Sequence, residues 1–195
     1  MPHQRLVIRH AVRDRLLGAT AAEDRVFTTR LVPYRRTKLP AIAVYTRAEP
    51  VDPESRNTAP RELTRNLQLV IEVAVAEGSS VRGVPVAVDQ LDDALDGLAV
   101  EVERVMDADP WLGGAAGDSL LTSTDVDVIV DVDGRALEQP IGLVTLTYAI
   151  TYRTQAPDPA DVPLDDFKRA TIRHDLSGIV SPKNVAEDDI TLPTK

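Results

Sequence analysis

Hydrophobic and polar positions change period several times along this 195-residue chain, and each change marks an element. From Glu62 to Ala76 the pattern is strictly alternating. Leu63, Arg65, Leu67, Leu69, Ile71, Val73 and Val75 fall on one side, and Thr64, Asn66, Gln68, Val70, Glu72, Ala74 and Ala76 on the other. A period of two held this long predicts a strand. Its six aliphatic positions would contribute roughly 1.5–3 kcal/mol each on full burial, before chain entropy is subtracted, so this strand is expected to be the spine of the fold. A shorter strand is predicted over 40–45, with Ala41, Ala43 and Tyr45 facing one way and Ile42 and Val44 the other. Pro40 can open it because a first residue need not donate to the ladder. Further on, Thr122, Thr124, Val126, Val128, Val130 and Val132 alternate with Ser123, Asp125, Asp127, Ile129, Asp131 and Asp133, which gives one apolar and one acidic face. A turn around Gly134 then leads to Val144, Leu146, Tyr148, Ile150 and Tyr152, alternating with threonines. These two runs are expected to pair antiparallel.

Two segments change to helical spacing. Over 3–17, Ile8, Ala11, Val12 and Leu16 form a narrow stripe among four arginines, with Gly18 as the stop. Such a helix belongs on a surface or at an interface. Residues 19–39 read as irregular, with a short strand at 25–28. Over 89–106, Leu91, Ala94, Leu95, Leu98, Val102, Val105 and Met106 make one apolar stripe, while Asp92, Asp93, Asp96, Glu101 and Glu103 are expected outside. Asp89 is the expected N-cap, and Asp92 and Asp93 suit the first turn of the dipole. Between the first two strands, 47–61 carries Pro50, Pro53 and Pro60 among polar residues. It should hold neither helix nor central strand, and loops of this length are usually functional or mobile. Glycines 113, 114 and 117 mark another loop. From Gln155 the texture changes to scattered prolines, charges and thin apolar content. The expectation is an α+β domain over 1–154, an antiparallel or mixed sheet with helices packed on one face. Residues 155–195 would form an extended C-terminal arm, disordered alone or ordered against a neighbouring subunit.

Composition narrows the function classes. Hydrophobic residues make up 43% and aromatics only 4%, so the core must be built of valine, leucine and alanine. The absence of cysteine excludes disulfides and thiolate metal sites. No apolar run approaches the ~18 residues of a membrane span, and the start of the chain lacks the apolar stretch of a signal peptide. The net charge of −9 hides a polarity: residues 1–47 hold ten bases against three acids, and residues 86–135 hold thirteen acids against two bases. Acidic faces can simply keep a protein soluble. They can also meet a basic face on the next copy, as a head-to-tail ring requires. An acidic protein repels phosphates, which disfavours nucleic-acid binding over its whole surface.

Little in the sequence points to bond chemistry. A calcium loop needs acids five, three and one residues before its glycine. Before Gly134 those positions hold Ile129, Asp131 and Asp133, and Pro140 stands where the closing glutamate belongs. A solvated acidic strand face is the better reading. The three histidines, His3, His10 and His174, suggest neither triad nor metal cluster. No nucleophile elbow or glycine-rich phosphate loop is present. Trp111 reads as a core or rim plug, and Tyr148 and Tyr152 as core. No catalytic residue, cofactor or metal is expected.

The arrangement as a whole resembles a known family. The N-terminal helix, LPAIAVYT at 39–46, the polar loop, LQLVIEVAVA at 67–76, LDDALDGLAVEVERVMDADPWL at 91–112 and LTYAITYRT at 146–154 follow one another as in the tail terminator proteins of long-tailed phages, the family of the lambda minor tail protein U. The resemblance covers roughly residues 3–154. It implies a structural virion protein at the head–tail junction, assembled in the host cytoplasm as a homo-hexameric ring. Such a ring binds the last ring of tail-tube protein, stops polymerisation and offers its other face to head-completion or neck proteins. Genomic DNA passes through its lumen without sequence-specific binding, no membrane is involved, and no catalysis is needed. Loop 47–61 becomes an interface segment, and Arg35, Arg36 and Arg47 become candidates to pair with Asp92, Asp93 or Asp96 of the adjacent subunit. The plainer reading of any one of them is a solvated surface charge contributing little. The alternatives are another connector, neck or tail-tube protein, or a metal- or small-molecule-binding α+β domain.

Overall fold

The computed structural model describes residues 2–29, 38–57, 62–132, 135–155, 169–175 and 185–191. The chain divides into two compact units, Met1–Ala156 and Pro157–Lys195.

The first unit is α+β. Helix α1, Gln4–Leu16, is capped by His3, whose ring nitrogen accepts from the Arg5 amide. Its stripe is real: Ile8, Val12 and Leu16 are fully buried. The chain leaves the helix through Gly18 at φ 69°, a left-handed turn that costs glycine nothing. Strands follow at β1 (Val26–Phe27), β2 (Ala41–Ala48) and β3 (Glu62–Ala76). A small hairpin, β4 (Ser80–Val81) and β5 (Val84–Pro85), leads into helix α2, Leu91–Asp107. Long strands β6 (Asp118–Val132) and β7 (Arg135–Gln155) complete the unit. The sheet order is β1-β2-β3-β7-β6. Every neighbouring pair is antiparallel except β1 with β2, so the sheet is mixed.

β3 is the spine that its alternation predicts. It pairs with β7 in unbroken register from Glu62↔Gln155 to Ala76↔Ile141. Directly opposite residues share a face. Leu67, Leu69, Ile71 and Val73 therefore stand opposite Ile150, Tyr148, Leu146 and Val144, Val75 and Tyr152 extend the same face, and the stripes of α1 and α2 close over them in one core. Gly142 lets α2 come close, because a Cβ there would overlap the Leu95 side chain. The opposite face carries a smaller cluster of Leu39, Ala41, Ala43, Ala74, Ala76 and Ile141. No helix among the described residues is long and apolar enough to cross a membrane.

Several expectations are corrected. Asp89 is not the cap of α2. It lies in a 3-10 turn, Val88–Gln90, and Gln90 takes the N-cap position without a side-chain bond. The turn runs straight into the helix and leaves no extended residue for Asp89 to cap from. Glu101, expected outside, is only 8% exposed. The apolar face of β6 is not covered. β6 is an edge strand, α2 packs over β3 and β7, and Val126 and Val128 remain 57% and 41% exposed. Register shifts at Leu121/Ser123 and Ile129/Asp131 also break its single alternation, so Leu121 rather than Thr122 sits opposite Tyr148. Within 47–61, β2 continues to Ala48, Val51 bridges to Arg65, and Glu54–Asn57 forms a 3-10 turn. The turn at Gly134 lies outside the described residues.

The second unit, in the segment read as an extended arm, holds two strands. β8 (Arg169–Asp175) pairs antiparallel with β9 (Val185–Thr191), from Arg169↔Thr191 to Asp175↔Val185. Both are short and poor in aliphatics, too weak a signal for periodicity to reveal.

Candidate functional site

The acidic candidates share one exposed surface. Asp92, Asp93 and Asp96 are exposed on α2, between the buried positions Leu91, Leu95 and Leu98. Val100, one turn after Asp96, is exposed with them. Arg47 is exposed at the far end of β2, where a register irregularity between Thr46 and Ala48 falls on it. Leu95 lies against Gly142, which pairs with Val75, whereas Thr46 pairs with Leu69. Six strand residues separate those rows, roughly 20 Å at about 3.3 Å each. One chain therefore does not bring Arg47 to Asp92, Asp93 or Asp96. Arg35 and Arg36 lie outside the described residues.

A second acidic surface runs along β6. Asp118, Asp125 and Asp127 are exposed there, beside exposed Leu120, Val126 and Val128. All three carboxylates are occupied locally: Asp127 accepts from the Val128 amide (2.8 Å), Asp118 from the Ser119 amide (2.9 Å) and Asp125 from the Ser123 hydroxyl (3.3 Å). No group of three or more metal-ligating side chains occurs among the described residues.

Three polar networks lie behind these surfaces, and helix and strand patterns did not announce them. The largest centres on Glu49, just past β2, with a side chain only 9% exposed. Its carboxylate takes the Arg65 guanidinium at 3.3 Å, Arg5 at 3.6 Å and the Tyr152 hydroxyl. Arg65 also donates to the Thr154 hydroxyl at 3.0 Å. The network thus ties the start of α1, the exit of β2, β3 and the end of β7. Burial, and then the Glu49 carboxylate, push the Tyr152 phenol well above its ordinary range. Arg65 was the available signal, a lone base on the apolar side of β3. A cleft of about 550 Å³ opens alongside, lined by Gln4, the 114–118 loop and Thr151 to Arg153. Its polar groups bond mostly to one another, Gln4 to the Ala115 carbonyl and the Gly117 amide to the Thr151 carbonyl, both at 2.7 Å.

The second network explains why Glu101 is buried. It accepts from the Ala21 amide at 2.7 Å and from Arg82, so α2 holds both the loop after α1 and the β4–β5 turn. Glu101→Ala should leave the Ala21 amide without its acceptor and cost about 1–3 kcal/mol. Arg82→Ala, at a side chain 68% exposed, should cost under about 1 kcal/mol. Urea unfolding of both variants checks the ratio, and equal losses would refute the assignment. In the third network Arg15 meets Asp109 at 2.5 Å, and Asp109 accepts from the Trp111 and Gly113 amides. The Arg15 hydrogen bond holds the Asp109 carboxyl below its usual range. Trp111 itself is exposed, so it plugs no core.

No family model matches the chain, and no curated protein matches it either.

Proposed function

We propose that this chain is a structural protein of a long-tailed phage virion. It assembles head-to-tail into a ring on the end of the tail tube, where it ends polymerisation and presents the surface for head joining. One observation carries the reading. The acids of α2 and the base of β2 are exposed over rows of the sheet roughly 20 Å apart along the strands. Complementary charges that cannot meet within one chain can meet between copies, and a heterologous contact that closes makes a ring. The order of elements that resembles the tail terminators gives that ring its place.

The mechanism needs no bond chemistry. One ring face matches the growing end of the tube, and the other no longer offers that match, so addition stops. DNA passes through the lumen, where a negative lining would repel phosphates and favour sliding over binding. The neck protein docks on the outer face.

Light scattering across concentration, with negative-stain images of the same fractions, tests this. The expected result is rings of six, either from the protein alone or once tail tubes are added. In the variant Asp92→Asn/Asp93→Asn/Asp96→Lys the rings should be lost. Its stability should shift by only about 1–2 kcal/mol, the worth of two first-turn acids. Open filaments would reassign the chain as a tube protein, and a monomer indifferent to tubes would overturn the proposal.

A further inference from the structure

Beside its acids, the outer side of α2 carries Val100, 61% exposed, and Gly97. A Cβ at Gly97 would meet nothing within 4 Å, so no packing inside the chain calls for a glycine there. In a helix interior glycine is a cost, since alanine at the same place would stabilise. The bare position and Val100, one turn on, make a shallow apolar notch, and Asp93 and Asp96 stand on its rim. Such a notch fits a second helix, because two axes approach to about 8 Å where the side chains between them are small. The partner must bring an apolar residue with bases around it.

α1 is such a helix. Leu6 is 38% exposed, His10 is exposed, and Arg9 and Arg13 follow Leu6 at helical spacing. The Arg9 Nε is buried with no hydrogen-bond partner among the described residues. Arg13 meets Asp14 at 3.1 Å, a pair that water screens. We propose that α1 of one copy packs antiparallel on α2 of the next. The contact rests on the ring reading above and names the helices that form it. With Leu6 on Val100, the helical repeat places His10 opposite Asp96 and Arg13 opposite Asp93. At about 100° per residue, Arg9 and Arg13 fall on the flank of Asp92 and Asp96, and Val7 and Asp14 on that of Gly97 and Arg104. Bases thus meet acids on one side, and Asp14 lies towards Arg104 on the other. Run parallel from the same Leu6–Val100 contact, His10 would stand opposite Arg104, and the two helix dipoles would point the same way.

The occupant is a second copy. Within one chain α1 and α2 share a core over the same face of the sheet through Ile8, Val12 and Leu16 and through Leu91, Leu95 and Leu98. Leu6 and Val100 stay exposed on the outer sides, so one chain does not bring them together. A single helix pair buries less than the roughly 800 Å² per partner of a stable interface. A ring uses every copy twice, once through α1 and once through α2, and its last contact closes within an assembly already held together.

The chain has no cysteine, so introduced thiols report without background. Leu6→Cys copies are mixed with Val100→Cys copies and treated with a short bismaleimide. The mixture should give dimers that neither variant gives alone, and the double variant Leu6→Cys/Val100→Cys a ladder ending at six. Adding Arg13→Glu to the Leu6→Cys copy should lower the yield about fivefold, the worth of one exposed ion pair, and Asp93→Arg in the Val100→Cys copy should restore it. Gly97→Gln points into open space in the single chain and favours the helix, yet it should lower the yield as well. Equal yields from either variant alone, or a yield unchanged by Gly97→Gln, would overturn the proposal. Rings seen by light scattering without cross-linking would overturn it and leave the ring reading standing. A double variant that stops at dimers, with the helix pair made twice across a two-fold axis, would keep the helix contact and overturn the ring.

Discussion

Glu49→Ala is expected to destabilise the first unit by about 3 kcal/mol, the low end of what breaking a buried ion pair costs. The carboxylate is the common acceptor for Arg65, Arg5 and the Tyr152 hydroxyl. Its removal leaves the Arg65 charge, 24% exposed, with the Thr154 hydroxyl as its remaining side-chain partner among the described residues. The Tyr152 hydroxyl loses its acceptor inside the core. Arg5 is half in water and loses little, which keeps the cost at the lower bound. Glu49→Gln keeps an acceptor for Tyr152 but not the charge, and should cost about half as much. Urea unfolding followed by circular dichroism measures both. A loss below about 1 kcal/mol for the alanine variant would mean that the cluster behaves as solvated surface charge.

That network also marks the limit of what the sequence could disclose. β3, β7 and α2 were legible because each holds one period over many residues, and burial of one face enforces that period. The pairing of β6 with β7 followed from pattern too, since two alternating runs separated by a turn pair most simply with each other; that of β3 with β7 did not, because β4, β5, α2 and β6 lie between them. Glu49 carries no such signal. Its partners lie 16 and 103 residues away, and only the folded chain brings them together. Arg65 on the apolar side of β3 was a visible anomaly that asked for a buried acid without saying which one. Glu101 failed differently. It flanks the stripe of α2, and its burial depends on the loop after α1 folding over it, a tertiary event that helical spacing does not encode. The valines of β6 show a third limit: alternation tells which residues share a face and says nothing about whether anything covers that face. Of the charge candidates, Arg47, Asp92, Asp93 and Asp96 are all exposed, as an interface between copies needs, and none of the acids is near Arg47 in one chain.

The same core makes a second large effect at high pH. Burial pushes the Tyr148 phenol well above its ordinary range, with the Asp107 and Glu103 charges adding to the shift, and Tyr152 is raised by burial and Glu49. A phenol in the unfolded chain ionises near pH 10. With both folded values raised, their contribution to stability is complete below about pH 10 and is lost as pH rises towards the folded values. In that window the unfolded state releases up to two protons that the folded state keeps. Each is worth about 1.4 kcal/mol per pH unit, so stability should fall by up to about 2.7 kcal/mol per unit. Against a typical total of about 5–15 kcal/mol, unfolding should come within a few units. Two variants separate the contributions. The Tyr148 hydroxyl is buried with no hydrogen-bond partner among the described residues. Tyr148→Phe removes a desolvated polar group, so it should leave neutral-pH stability unchanged or raised and should halve the alkaline slope. Tyr152→Phe takes a donor from Glu49 and should cost about 1 kcal/mol at neutral pH while halving the same slope. The same chemical change thus has opposite signs at two positions four residues apart on one strand. Tyrosinate absorbance and unfolding curves across the alkaline range measure it. Unaltered slopes in both variants would show that the two phenols ionise as freely in the folded protein as in the unfolded chain.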